Sequence, residues 1–315
     1  MGKHILEKGK IYTNNPLMEG FTENFFETSD GVKLRFLHKG KGIPLILMHG
    51  YSDDADCWLL NASEFAQKYS VYCIDQRGHG YSYAEHGARI SRLAADLNEF
   101  IKAIGEPKVN LLGWSMSSAV IWSYMELFGY ESINKAIFDD QPPMLVANPY
   151  FTQKEIMITG SNPMDFWYLV NTVEEHGCAW TGENSPFFKA FPACFRRGTT
   201  AYTIEELEKV QDNYLELYSK RPHQNTVVPR KFMAALLKDL LLVDFRDLMP
   251  KIKVPVMYMT GDISHATTLE LGEWMKNTIP DCRWERFSAE EYGIHDINQL
   301  AYKKFNRAVL DFLAD

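Results

Sequence analysis

The chain has 315 residues, of which 46% are hydrophobic and 23% charged, a balance typical of a folded globular protein and not of a disordered one. Its formal net charge of −8, with no dense run of lysine and arginine, argues against nucleic-acid binding. No stretch of about 18 apolar residues is present, so no membrane span is expected. The first residues lack the apolar core of a signal peptide, and the five cysteines form no C-x-x-C pair. We therefore expect a cytoplasmic protein with reduced thiols.

The first half of the sequence predicts strands that alternate with helices. A hairpin is expected over residues 21–40, and strands follow at 44–48, 71–75, 108–113 and 134–139. Helical patterns lie near 56–69, 90–104 and 115–128. In the second of these, the apolar residues share one face and Gly105 ends the helix. This alternation predicts a mostly parallel sheet with helices on both faces.

The alternation stops after Gln141-Pro142-Pro143 and resumes with a strand pattern at Val254. Residues 144–248 have a mostly helical pattern, which we interpret as a helical cap inserted into a core formed by 1–143 and 249–315. The cap segment is rich in aromatic residues: Phe166, Trp167, Tyr168, Trp180, Phe187, Phe188, Phe191 and Phe195. Ligands of open α/β sheets bind at the carboxyl ends of the strands, so we expect two or three of these rings to line the site.

The last part of the chain closes the core. A turn is expected at 260–264, after the strand that begins at Val254. A helix over 270–277, a strand over 283–287 and a C-terminal helix over 301–313 follow, each predicted from its hydrophobic pattern.

Gly113-Trp114-Ser115-Met116-Ser117 lies between a strand pattern and a helix pattern. A serine in such a sharp turn is exposed at the top of a sheet, beside the unpaired N–H groups of a helix N-terminus. This geometry suits a nucleophile whose reaction passes through an oxyanion.

Three further segments accompany this turn: His49-Gly50 after a buried strand, the run Asp75-Gln76-Arg77-Gly78-His79-Gly80-Tyr81-Ser82 after the next strand, and a late His295. In this order, the four segments resemble the α/β-hydrolase superfamily over nearly the whole chain. The Ser115-Met116 pair and the Asp140–Pro143 stretch are similar to a branch that contains bacterial cofactor-free haloperoxidases and aryl esterases. The resemblance implies a mostly parallel, eight-stranded sheet with an inserted helical cap.

The resemblance also implies roles for individual residues. Ser115 would be the nucleophile and His295 its base, since only this histidine lies between the last strand and the C-terminal helix. The backbone N–H groups of Met116 and Tyr51 would form the oxyanion hole. Ser117 replaces the last glycine of the usual turn, which normally lets the helix pack closely on the strands.

The position of the acid departs from the usual pattern. That acid normally stands three residues after the glycine that ends a late strand, here Gly261, and this position is Ser264. A serine cannot carry the negative charge that stabilises an imidazolium. Asp140, at the end of the 134–139 strand, is our preferred substitute, and Asp262 and Asp139 remain alternatives.

These residues predict a serine hydrolase that cleaves a carboxylic ester or related acyl compound through an acyl-enzyme. The substrate would be a small acyl compound with apolar or aromatic groups, and no metal or organic cofactor is expected, because no such motif is present. A C–C bond hydrolase, an amidase, a lactonase or a non-catalytic ligand-binding protein could use the same scaffold. The sequence does not decide between hydrolysis and perhydrolysis, and it identifies neither the substrate nor the oligomeric state.

Overall fold

The structure of the chain, a computed structural model, describes residues 9–148, 150–160, 163–178, 186–193 and 229–315. Its centre is one nine-stranded sheet. The strands are β1 Lys10–Ile11, β2 Thr22–Glu27, β3 Lys33–Lys39, β4 Pro44–Met48, β5 Ser70–Ile74, β6 Val109–Trp114, β7 Ile133–Asp139, β8 Val256–Gly261 and β9 Cys282–Phe287.

The sheet order is β1-β2-β3-β5-β4-β6-β7-β8-β9. The six strands from β5 to β9 in this order run parallel, whereas β1, β2 and β3 pair antiparallel and join the edge of β5. The predicted mostly parallel sheet is confirmed, but it has nine strands and not eight. The extra strand is β1, whose two exposed residues are too few to leave an alternating pattern in the sequence.

Helices cover both faces of this sheet, as the sequence predicts. The described α-helices are α1 Ala62–Phe65, α2 Ile90–Ile104, α3 Met116–Phe128, α4 Gln153–Met157, α5 Pro163–His176, α6 Pro186–Ala193, α7 Arg230–Leu242, α8 Leu269–Thr278, α9 Ile297–Leu300 and α10 Tyr302–Ala314. One apolar cluster joins α2, α3 and α8 to the sheet, and a second joins α1 and α10 to the opposite face. In the part of the chain that the structure describes, no helix is long and apolar enough to cross a membrane.

Local sequence explains where these elements begin and end. Strands β4 and β6 are buried at every residue, because helices cover both of their faces. Helix α2 ends at Gly105, whose φ of 78° is a left-handed conformation that glycine adopts without steric cost. The helix predicted near 56–69 is instead a 3₁₀ helix at Ala55–Trp58 followed by the one-turn α1.

The described part of residues 144–248 contains helices α4 to α7 and no strand, although Met144 and Asp244 form an isolated antiparallel β-bridge. Helix α5 packs against both α6 and α7. Two contacts attach α7 to the sheet-forming part: Asp239 accepts a hydrogen bond from the backbone N–H of Ile90, and Phe232 packs so closely on Gly78 that a Cβ there would lie 2.2 Å from its ring. Trp180 and Phe195, which the sequence places in this aromatic segment, lie outside the described residues, and so do the side chains of Phe188 and Phe191.

The buried Arg35 on β3 connects strand β2 with the loops that follow β4 and β5. Arg35 on β3 is fully buried, and its Nη1 lies 3.1 Å from a carboxylate oxygen of Asp56 and 3.2 Å from one of Asp75. Its Nε donates to Glu23 at 2.7 Å, and the hydroxyl of Tyr12 donates to Asp56. Because Asp75 opens the loop after β5 and Asp56 belongs to the loop after β4, this network fixes two loops that border the carboxyl edge of the sheet.

Replacing Arg35 should therefore destabilise the fold strongly. Arg35→Met would leave two buried carboxylates without their cation, and loss of one partner of a buried ion pair costs about 3–5 kcal/mol. Arg283→Met, a control whose guanidinium is 39% exposed beside Glu285, should cost less than about 1 kcal/mol. Urea unfolding measures both free energies, and equal losses in the two variants would contradict this view of the network.

Candidate active site

Ser115 occupies a strained turn between β6 and α3. Its φ of 54° and ψ of −125° are rare for a residue with a side chain. Two contacts hold the turn: the backbone N–H of Ser115 donates to the carbonyl of Asp139 at 2.8 Å, and α3 lies directly on Gly113. A Cβ at Gly113 would lie 2.7 Å from the carbonyl carbon of Ser117, so only glycine fits there. The predicted strand-to-helix turn is present.

His295 reaches this serine from the loop after β9. Its Nε2 lies 2.9 Å from Oγ of Ser115. The loop packs tightly on the end of β8, where a Cβ at Gly261 would lie 2.2 Å from the carbonyl oxygen of Gly293. The indole Nε1–H of Trp114 also donates to the carbonyl of His295 at 3.0 Å. The histidine backbone is therefore fixed from two sides.

Asp140 completes the line of contacts. One of its carboxylate oxygens lies 2.7 Å from Nδ1 of His295. The residue follows β7 with a φ of 50°, a conformation that aspartate tolerates better than most residues, and its N–H donates to the carbonyl of Met259 at 3.0 Å. Serine hydroxyl, imidazole and carboxylate thus form one continuous hydrogen-bonded chain.

The two alternative acids lie elsewhere. Asp262 turns outward, and its oxygens lie 3.2 and 3.1 Å from the guanidinium of Arg286. Asp139 is fully buried, and among the described residues neither of its oxygens has a hydrogen-bond partner. Burial, with the nearby charges of Asp140 and Asp296, raises the pKa of Asp139 well above its usual value.

Four donors surround the carboxylate of Asp140. One oxygen accepts from His295 and from the hydroxyl of Ser264, at 2.7 and 2.5 Å. The other accepts from the hydroxyl of Thr267 at 2.5 Å and from the N–H of Gly261 at 3.3 Å. In the sequence, Ser264 stands out only because it occupies the usual position of the acid, and Thr267 does not stand out at all. Single hydroxyl residues in a loop form no sequence pattern from which such a contact could be predicted.

The pKa of His295 is raised above its ordinary value. Burial alone would lower it, since a buried imidazole resists protonation, but the hydrogen bond and charge of Asp140, with a further contribution from Asp296, outweigh burial. A second histidine, His265, lies with its ring centre 4.7 Å from that of His295. Burial and the neighbouring His295 lower the pKa of His265 well below its usual value, so His265 is neutral when His295 titrates.

Two backbone N–H groups are available beside Ser115. Met116 is the first residue of α3, so its N–H has no acceptor within the helix. Tyr51 follows Gly50, which lies so close to the serine turn that a Cβ there would come within 3.3 Å of Cβ of Ser115. In the described parts of the chain, neither N–H donates to another protein group. Both predicted oxyanion-hole residues are therefore at the serine.

A clamp that the sequence did not predict holds the loop carrying Tyr51. The hydroxyl of Ser117 donates to the carbonyl of His49 at 2.5 Å, and Nε2 of Gln76 donates to the same carbonyl at 2.9 Å and to the hydroxyl of Ser117 at 2.8 Å. The N–H of Gln76 also donates to Nε2 of His49 at 3.0 Å. The signal in the sequence was the departure itself, a serine where the resemblance implies glycine.

Helices α6 and α7 approach the site through Tyr51. The phenol hydroxyl of Tyr51 donates to the carbonyl of Met233 on α7 at 2.8 Å, and the ring of Phe187 on α6 is centred 6.2 Å from its own. Phe187, one of the aromatic residues of the predicted cap segment, therefore lies next to Tyr51. Trp167 belongs to the same predicted set, but its side chain is 51% exposed and contacts Lys238.

The described residues contain no group of three or more histidine, cysteine or acidic side chains that could hold a metal ion. The site consists instead of a hydroxyl, an imidazole, a carboxylate and two backbone donors. This set can activate a nucleophile and stabilise a developing oxyanion.

Comparison with known proteins agrees with this architecture. Residues 43–170 match the family model described as alpha/beta hydrolase fold. The chain is 24% identical over 300 residues to a putative non-heme chloroperoxidase of Synechocystis sp., covering 91% of this chain and 97% of that protein. A bromoperoxidase from Bacillus anthracis superposes with a TM-score of 0.74 at 21% identity over 90% of this chain and 96% of the other. An esterase from Exiguobacterium antarcticum gives 0.72 at 21% identity, over 92% and 99%.

The matched family model, the relatives aligned over nearly their whole length and the shared fold all agree with the resemblance found in the sequence. The relatives also include the peroxidases and esterases of the branch that the sequence resembles. The chain has the α/β-hydrolase fold.

Proposed function

We propose that the protein is a serine hydrolase that cleaves a carboxylic ester or a related acyl compound through an acyl-enzyme. The observation that supports it best is the chain of contacts from Ser115 Oγ to His295 Nε2, at 2.9 Å, and from His295 Nδ1 to Asp140, at 2.7 Å. Serine alone is a weak nucleophile, and a base held in this geometry is what activates it.

The mechanism follows from these positions. Oγ of Ser115 attacks the carbonyl carbon while its proton passes to Nε2 of His295. The N–H groups of Met116 and Tyr51 stabilise the oxyanion, and Asp140 stabilises the imidazolium. The ester C–O bond then breaks and the alcohol leaves with the proton from His295. Water, deprotonated by His295, attacks the acyl-enzyme, and Ser115 regains its proton as the carboxylic acid leaves.

The missing acid at position 264 was the main argument for a non-catalytic ligand-binding protein. Asp140 supplies the required carboxylate from a neighbouring strand, so that argument loses its basis. The raised pKa of His295 is also what a histidine needs to accept a proton from serine. Both observations support the enzyme over the ligand-binding protein.

Ser115→Ala should abolish ester hydrolysis and leave the fold intact, because the change removes one hydroxyl from an already formed turn. Loss of a triad nucleophile lowers kcat by on the order of 10⁶. The matched control is Ser118→Ala, whose hydroxyl on the same helix donates to the carbonyl of Gly113 and not to His295; it should keep turnover. A fluorophosphonate should label wild type and Ser118→Ala stoichiometrically. Labelling of folded Ser115→Ala, or its hydrolysis of p-nitrophenyl esters near the wild-type rate, would refute the assignment.

Asp140→Asn should be the damaging change among the three candidate acids. By comparison with serine proteases, replacing the triad aspartate by asparagine costs about 10⁴ in kcat. Asp262→Asn should retain turnover, since that carboxylate pairs with Arg286, and Asp139→Asn should too, since the carboxyl group of Asp139 makes no hydrogen bond to His295. Steady-state kinetics of the three purified variants measures their kcat values. A large loss of kcat in Asp262→Asn, with Asp140→Asn near wild type, would contradict the assignment of Asp140.

We further propose that residues 144–248 form a cap over the site, attached to a core of 1–143 and 249–315. Tyr51 supports this idea, because it borders Ser115 through its backbone and contacts α6 and α7 through its side chain. The cap would then select small acyl substrates that carry apolar or aromatic groups.

Phe187→Ala should change the order of preferred substrates, because it removes a ring next to Tyr51. A shift of about tenfold in the ratio of kcat/KM between long and short acyl esters is the size expected for a reshaped apolar pocket. Trp167→Ala is the matched control, since that ring lies at the surface of α5. Measuring kcat/KM over a series of graded p-nitrophenyl esters tests this, and an unchanged order in Phe187→Ala would place Phe187 outside the pocket.

A further inference from the structure

The loop after β8 carries hydroxyl groups around a carboxylate that comes from another strand. Ser264 stands three residues after Gly261, where the acid of this fold usually lies, and its hydroxyl is 2.5 Å from the oxygen of Asp140 that also contacts His295. Thr267, three residues further along, contacts the other oxygen at 2.5 Å. All of these groups are buried.

The hydrogen of the Ser264 hydroxyl has a defined direction. Oγ of Ser264 accepts from the N–H groups of Ala266 and Thr267 at 3.0 and 3.4 Å. With its lone pairs directed at these two donors, the hydroxyl hydrogen is left to point at Asp140. The loop backbone thus orients the hydroxyl, and the hydroxyl orients the carboxylate.

The four donors also fix the plane of the carboxylate. Each oxygen of Asp140 accepts two hydrogen bonds, one set from His295 and Ser264 and the other from Thr267 and Gly261. Rotation of the carboxylate would break bonds to both oxygens. Two of the four donors, those of Ser264 and Thr267, are side-chain hydroxyls from the loop after β8.

We propose that Ser264 and Thr267 are positioning residues of the triad, which hold the carboxylate of Asp140 in the orientation that His295 requires. This inference rests on the proposed serine hydrolase. Neither hydroxyl belongs to the chain of contacts from Ser115 through His295 to Asp140, so both would act through Asp140 alone.

The experiment measures the pKa of the His295 imidazole in the variant Ser264→Ala. With one donor lost, the negative charge of Asp140 is less compensated, and His295 should bind its proton more tightly, with its pKa higher by about 0.5–1 unit. The other groups that face His295, Asp296 and the neutral His265, are unchanged by the substitution. Since His295 acts only when neutral, the acidic limb of kcat/KM should move to higher pH by the same amount.

The controls separate positioning from general damage to the loop. Ser264→Thr keeps a hydroxyl and should restore the wild-type profile. Thr268→Val removes the neighbouring hydroxyl, which donates to the carbonyl of Met157 and caps α8, and makes no contact with Asp140; it should lower stability and leave the titration of His295 unchanged. NMR of the imidazole carbons, assigned with His295→Gln, reads the titration without any substrate. An unshifted His295 in folded Ser264→Ala would overturn the proposal.

Labelling of wild-type Ser115 by a fluorophosphonate distinguishes failure of this inference from failure of the proposed function. If wild type is not labelled, the serine hydrolase is refuted. If wild type is labelled but the titration of His295 is unshifted in Ser264→Ala, only the positioning role is refuted.

Discussion

The site depends first on the backbone of Ser115. A residue with a side chain at φ 54° and ψ −125° is held in a conformation that costs on the order of 1–3 kcal/mol, and it persists only where the surroundings over-determine it. Here they do so through the packing of α3 on Gly113 and the hydrogen bond from Ser115 to Asp139. Relaxation of this turn would move the hydroxyl of Ser115 away from His295 and would at the same time displace the first N–H of α3.

Two departures from the usual pattern of the superfamily have been resolved in the same chemical way. A serine replaces the glycine at 117, and a serine replaces the acid at 264. The hydroxyl of Ser117 bonds the carbonyl of His49, and the hydroxyl of Ser264 bonds Asp140. Each is small enough to fit a buried position and polar enough to donate a hydrogen bond to a buried neighbour. The two serines thus help to hold the loop that carries Tyr51 and the carboxylate of Asp140.

The sequence predicted the parts of the fold that are set by burial along one strand or helix. Strand β4 and helix α2 have the predicted bounds, since their apolar patterns are uninterrupted. It did not predict β1, which is too short for a pattern, or the division of the 56–69 segment, which depends on local capping by Asp54. The structure brings Ser115, His295, Met116 and Tyr51 close together, and their catalytic roles stay predictions.

The choice among the acids could not be made from the sequence, because it depends on side-chain direction and on distant partners. Asp262 is turned away by Arg286, which belongs to the adjacent strand β9 and lies 24 residues further along. Asp140 is turned inward by one positive φ angle. Phe187 on α6 is buried whereas Trp167 on α5 is exposed, and the aromatic content of the segment does not reveal this difference.

The position of the acid also changes the order in which the site is completed during synthesis. Ser115 and Asp140 lie 25 residues apart on adjacent strands, so a nascent chain has both soon after β7 emerges. His295 comes 155 residues later and is placed only when its loop docks on Gly261 and Trp114. A ribosome-bound chain that has already folded its central strands would therefore present a serine without a base. On the proposed mechanism, the site would become competent only after the loop that carries His295 has been synthesised and has docked.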